Sequence, residues 1–230
     1  MRPLPNAPVS VPRRERRVTG WTALSGGLVS LISVGLYFVY SGPPPSSNVF
    51  TRTLMLVATF TFFLVFSVGL GRTLRHPDGD AGLAGELAVT ALRLYIAITL
   101  VAASLEVGTA LQYPDGSRDP TVDGPLAAGM VLLHGPIARA LVAVFLLALA
   151  ATPNARRYFP RRVLTGGVVL AVLNLALIPS LFFGMDPAQF YAANGWGATA
   201  SIGALNVLWV AVLGWSVLRE PPVQGREASA

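Results

Sequence analysis

The stretch "VLLHGPIARALVAVFLLALAA", residues 131–151, carries a single formal charge, Arg139, and is otherwise almost wholly apolar. A hydrocarbon core about 30 Å thick needs roughly 20 apolar residues at a rise of about 1.5 Å each. This stretch is long enough to cross it. The same length in a soluble protein would carry a polar face, and none is present here. The segment therefore reads as a membrane span. Working outward, five more stretches have the same character, and the six spans cover roughly 21–41, 53–72, 87–111, 127–151, 163–184 and 197–218. The connectors between them, such as "SGPPPSSN", "RHPDGDAG" and "TPNARRYFPRR", are rich in turn-forming residues and too short to hold another domain.

Composition agrees. Charged residues make up 12% of the 230-residue chain, against about 25% in a soluble domain. The expected fold class is an all-α, polytopic transmembrane bundle of six spans. Its expected organisation is a disordered basic tail over 1–20, the membrane domain over 21–219 and a disordered tail over 220–230. The first span, Trp21 to Tyr40, exceeds the apolar region of about 7–15 residues in a signal peptide, and no A-x-A site follows it. It reads as an uncleaved helix.

All seventeen basic residues are arginines, and they are distributed unevenly. Those at positions 13, 14, 16 and 17, 72 and 75, 156 and 157, 161 and 162, and 219 fall on one side of the spans, with Arg2 and Arg226 in the tails. The other side carries only Arg52 and Arg118, with Asp115, Asp119, Asp123 and Asp186. By the positive-inside rule both termini are expected in the cytoplasm of a bacterial plasma membrane. The arginines stand at span ends instead of clustering on a soluble face, so the net charge of +6 does not call for nucleic acid.

Several chemistries are excluded by what is missing. Without cysteine there is no disulfide, thiol nucleophile or iron–sulfur cluster. Without lysine there is no Schiff base to retinal or pyridoxal phosphate and no P-loop lysine. With only His76 and His134, two pairs of axial haem ligands cannot be assembled. No H-E-x-x-H or G-x-S-x-G motif occurs. No cofactor and no metal are expected. The aspartates of "DGSRDPTVD" have a spacing of four, similar to magnesium-binding motifs of membrane prenyltransferases, but Pro114, Gly116, Pro120 and Pro125 break the helix such a motif needs.

Ionisable residues inside spans are the candidate site residues, because charge in hydrocarbon is costly and marks function. Glu106 in the third span and His134 in the fourth fall at similar depth on antiparallel helices. They are expected to be able to pair, and such a pair could act as acid and base. Pro136 removes a ladder donor and Gly135 a side chain, so the fourth span should kink there. Arg139, four residues beyond His134, lies too deep to snorkel and is expected to face the bundle. Asn174 and Asn206 fall at its depth, suggesting a mid-membrane polar cluster of Arg139, Asn174 and Asn206. Arg93 joins the candidate ligand-binding residues, its alternative being a snorkel to the headgroups. Gly197 and Ser201 have the spacing that permits close helix packing, and Phe190, Tyr191 and Trp196 read as an interfacial belt.

The second span's end at "GLGRTLRHPDG" and the fifth span's opening at "PRRVLTGGVVLAVLNLALIP" form a layout over 21–219 that resembles small six-helix integral membrane proteins of unknown function from high-GC Gram-positive bacteria. The resemblance implies a fold class and carries over no catalytic residue. Three functional expectations stay open. The chain binds or moves a small lipophilic or amphipathic molecule through the polar cluster; or it is an intramembrane enzyme on a lipid or isoprenoid, with Glu106 or His134 as acid/base; or it is a non-catalytic subunit with a membrane-protein partner.

Overall fold

The computed structural model describes residues 11–40, 42–75 and 80–219. Among them all regular structure is helical, and six helices are long and apolar enough to cross a membrane. They are α1 (Arg13–Leu36), α2 (Ser46–Leu74), α3 (Gly82–Gln112), α4 (Gly124–Ala151), α5 (Arg161–Phe183) and α6 (Gly197–Leu218). Prolines set several starts: Pro12, Pro45 and Pro160 precede α1, α2 and α5, and Pro125 lies in the first turn of α4. At these positions proline loses no ladder bond, since the first N–H groups have no partner inside the helix.

The expected tail boundary at residue 20 is corrected. Residues 13–20 are helical, and α1 begins eight residues before Trp21. Neighbouring elements hold that first segment in place. Glu15, in the first turn, suits the positive end of the helix dipole and pairs with Arg72 at 2.9 Å. Arg16 donates to the carbonyl oxygens of Val217 at 3.2 Å and of Arg219, while Thr19 and Gly20 are buried. These bonds also place the start of α1 and the end of α6 at one end of the bundle, the arginine-rich end. Residues 1–10, 220–230 and His76 lie outside the described residues.

Around the bundle the helices follow one another as α6, α1, α2, α3, α4 and α5, with α5 against α6 the thinnest seam. The α1–α6 seam is built from small residues. Gly20, Ala23 and Gly27 of α1 are buried, and a side chain added at Gly214 of α6 would lie 2.8 Å from the Gly20 carbonyl oxygen. Without a hydrophobic drive between helices in lipid, such close backbone approach is what holds them. Leu54, Val101, Val169 and Val172 point outward, as expected where the solvent is hydrocarbon.

The apolar core is lopsided. Phe63, Phe66, Leu70, Leu92, Leu149 and Leu213 interlock in the arginine-rich half. The opposite half is less regular. In α4 the ladder widens to a π-turn over Leu133–Ile137, where Gly135 leaves helical geometry at ψ −110°. This is the kink expected at Gly135 and Pro136: proline has no N–H to donate and its ring crowds the preceding turn. The end of α5 tightens into a 3₁₀ turn over Ile178–Phe183, and α6 opens with a second π-turn over Gly197–Ser201. All three departures from α geometry meet in space.

Candidate functional site

A cavity of about 420 Å³ opens in the arginine-poor half, between α1, α2, α3, α4 and α6. Tyr40, Pro44, Asp119, Thr121 and Pro187, from the three connectors at that end, form its mouth. Apolar side chains such as Leu56, Phe60, Met130, Val131, Ile202 and Val207 form its walls. Polar side chains stand among them, including Arg52, His134, Arg139, Asn194 and Asn206, with the hydroxyls of Ser30, Tyr37, Tyr95, Thr99 and Thr199. Small-molecule sites have this composition, in cavities of about 300–1,000 Å³.

Arg139 stands where the irregular segments meet. Only 2% of it is exposed. Its guanidinium donates to the Leu177 carbonyl oxygen, to Ser180 Oγ at 3.0 Å and to the Ala198 carbonyl oxygen. These acceptors belong to the end of α5, its 3₁₀ turn and the π-turn of α6. Each is a place where the helical ladder leaves a carbonyl or hydroxyl to be satisfied in a medium without water. Arg139 thus ties three broken elements together. Every one of its acceptors is neutral, and among the described residues no carboxylate lies within ion-pair distance of it. Its Nε has no partner. On insertion scales an arginine at a helix centre costs about 2.5–3.5 kcal/mol.

The segment between α5 and α6 does more than connect them. Ala192, Ala193, Asn194 and Gly195 are buried, and Ala193 packs with Ala102, Met130 and Val131 of α3 and α4. The chain dips back into the bundle. A bond from Ala193 N–H to the Gly184 carbonyl oxygen at 2.8 Å and one from the Tyr191 hydroxyl to the Ala176 carbonyl oxygen hold it. Gly184 takes φ 70°, a conformation open to glycine at little cost. Non-helical backbone is tolerated at such depth only where it is buried in protein or lines a cavity. The re-entrant segment delivers Asn194, whose side-chain nitrogen and oxygen are both buried without a partner.

The expected mid-membrane cluster is resolved into separate parts. Asn174 and Asn206 do meet, each donating to the other's amide oxygen at 2.9 and 3.0 Å. Arg139 bonds neither of them. Asn206 shares the cavity wall with Arg139, whereas Asn174 is fully buried and does not line the cavity. The expected pairing of Glu106 with His134 is corrected. Glu106 Oε1 accepts from Arg52 at 2.6 Å, and its other oxygen accepts from the Tyr37 hydroxyl at 3.4 Å. The Arg52 guanidinium lies 3.6 Å from the centre of the Tyr37 ring. Both ends of the ion pair are buried, at 3% and 4% side-chain exposure. The span expected over 53–72 leaves Arg52 just outside it; α2 in fact starts at Ser46 and carries Arg52 as a buried residue. His134 lines the cavity without a hydrogen-bond partner among the described residues.

Arg93 is not part of this site. It is exposed on α3 and lines a groove of about 300 Å³ with Arg72, Arg75 and Glu86 at the arginine-rich end. The three aspartates after α3 serve turns. Asp115 accepts from the Ser117 N–H and hydroxyl, Asp119 from the Thr121 N–H and hydroxyl, and Asp123 from the Asp119 N–H. The Ser117 bonds hold the Asp115 carboxyl below its ordinary pKa. Among the described residues no group of three or more His, Cys, Asp or Glu could hold a metal ion. Phe190 and Trp196 stack edge to face at 4.7 Å and are half exposed beside the buried part of the segment.

Compared with protein families, curated proteins and solved structures, the chain has no match.

Proposed function

We propose that this chain is a ligand-binding protein of a bacterial plasma membrane, with both termini in the cytoplasm and its cavity open to the outside. It holds a small amphipathic molecule in the arginine-poor half of the bundle. The observation that carries this reading is the pairing of an apolar-walled cavity with polar side chains that have unspent hydrogen-bonding capacity, Asn194 foremost. Buried amide groups without partners are costly, and a bound molecule's polar head would satisfy them. The asymmetry of arginines supports the orientation. The close-packed aromatic and leucine core below the cavity favours binding over open conduction.

An enzymatic role loses its carboxylate in this reading. Glu106 is held by Arg52 and Tyr37, so of the two expected acid/base groups His134 is the one that lines the cavity. The test is mass spectrometry of molecules retained through purification in nanodiscs, comparing wild type with Asn194→Leu and Arg139→Gln. The expected result is one molecular species retained by wild type and depleted in the variants. The same retained species in all three folded proteins would refute a role for these residues in binding. Substrate turnover abolished by His134→Gln would favour the enzyme.

A further inference from the structure

We propose that the occupant of this cavity is an oxyanion amphiphile, a fatty carboxylate or an alkyl phosphate, with its head against Arg139 and Asn194 and its chain along the apolar walls. This rests on the ligand-binding reading above and names the chemistry of the molecule bound.

The charge count points to an anion. A guanidinium has five N–H donors. In Arg139 three are spent on the Leu177 and Ala198 carbonyl oxygens and Ser180 Oγ. One donor on Nε and one on Nη2 are left, on adjacent nitrogens. That arrangement suits the two oxygens of a carboxylate or phosphate. The three acceptors in place carry no formal charge, so they solvate Arg139 without cancelling it. The cavity's other arginine differs: Arg52 is neutralised by Glu106 at 2.6 Å. Among the described residues, Asp119 is the remaining acid on the cavity wall, and it sits in the connector at the mouth, accepting from Thr121. One positive charge therefore stands uncancelled deep in the site. A cationic head would be repelled there, and a neutral head would leave the charge bare.

Asn194 supplies the second, independent observation. It is 9% exposed, its amide has no protein partner, and it lines the same cavity on a segment that the fold buries against α3 and α4. Its amide, bound to no protein group, is free to turn its N–H groups toward an anion that Arg139 also holds. The volume argues against a bare inorganic ion. About 420 Å³ walled by Leu56, Phe60, Met130 and Val207 has room and apolar surface for an alkyl chain.

The experiment uses the full chain, immobilised in detergent, and saturable binding of radiolabelled decanoate. Competitors are decanoate, decyl phosphate, decanol and decylamine. The expected result is saturable binding, displaced by decanoate or decyl phosphate at least tenfold more effectively than by decanol or decylamine. Asn194→Leu and Arg139→Gln should weaken it at least tenfold, and Arg162→Gln, at the opposite end, should not. If Arg139→Gln fails to fold, Asn194→Leu decides alone. The ranking of decanoate against decyl phosphate identifies which oxyanion the site takes. Equal displacement by decanol overturns the anion assignment and leaves ligand binding standing. Displacement by millimolar chloride as effectively as by decanoate overturns the amphiphile. Decanoate binding unchanged in both cavity variants places it elsewhere and overturns the proposal, and no saturable binding of radiolabelled decanoate or decyl phosphate to the folded protein overturns the oxyanion assignment, leaving ligand binding itself to the mass-spectrometric comparison.

Discussion

Replacing Glu106 with leucine should be among the most damaging single changes in this protein, and replacing Arg52 at the same time should repair most of the damage. The pair is 2.6 Å apart with 3% and 4% of its side chains exposed. At an effective dielectric of about 20 the attraction at that distance is roughly 6 kcal/mol. Desolvating each ion costs several kcal/mol, so the intact pair comes out near even with an apolar pair of similar size. Removing one partner is different, because the other charge stays buried. That typically costs about 3–5 kcal/mol. Here Arg52 would keep the Tyr37 ring at 3.6 Å, which offsets about 0.5–2 kcal/mol of that loss. It also lines the cavity, from which water can approach. We therefore expect about 3 kcal/mol for Glu106→Leu, the lower end of the range. Arg52→Met with Glu106→Leu should return to within about 1 kcal/mol of wild type. Reversible unfolding in mixed micelles, followed by helical circular dichroism, measures each variant. A single variant within about 1 kcal/mol of wild type, or a double variant as unstable as the single, would refute the account of a desolvated ion pair.

Three further predictions follow from the packing and topology. Asn174→Leu should cost about 0.6–1.7 kcal/mol by leaving Asn206 unpaired, and the double leucine variant should cost less; a double-mutant cycle in mixed micelles gives the coupling. Gly214→Leu should destabilise by about 1–3 kcal/mol or more, since its side chain would meet Ala23 and the Gly20 carbonyl oxygen, and a smaller melting shift than for Gly203→Leu, whose added Cβ meets open space, would count against the α1–α6 seam. The chain has no cysteine, so labels are unambiguous. A cysteine at Ser117 should react with an impermeant maleimide on intact cells, and one at Arg157 only after permeabilisation; the reverse pattern would invert the proposed orientation.

Charge and apolar length, summed along the chain, were enough to read the class of this protein. A run of about 20 apolar residues has few alternatives to a membrane helix, and each of the six expected spans falls on one of the six helices, although α1 and α2 begin eight and seven residues earlier than expected. The kink at Gly135 and Pro136 was legible for the same reason: it follows from a missing N–H in the local chain. So was the meeting of Asn174 and Asn206, because depth can be counted from span ends at 1.5 Å per residue.

Facing could not be counted in that way. Where lipid and protein interior are equally apolar, a helix carries little amphipathic signal to say which side turns inward. Glu106 therefore could not be assigned to Arg52 over His134 before the helices were packed. Arg139's acceptors were hidden for another reason. They are two backbone carbonyls and a serine hydroxyl, which no residue pattern distinguishes, and they become available only where α5 and α6 leave regular geometry. Asn194 was concealed in a stretch that composition marks as a surface connector. Only the tertiary structure turned that stretch back into the bundle, because Ala193 is small enough to pack against α3 and α4 and carries the asparagine in with it.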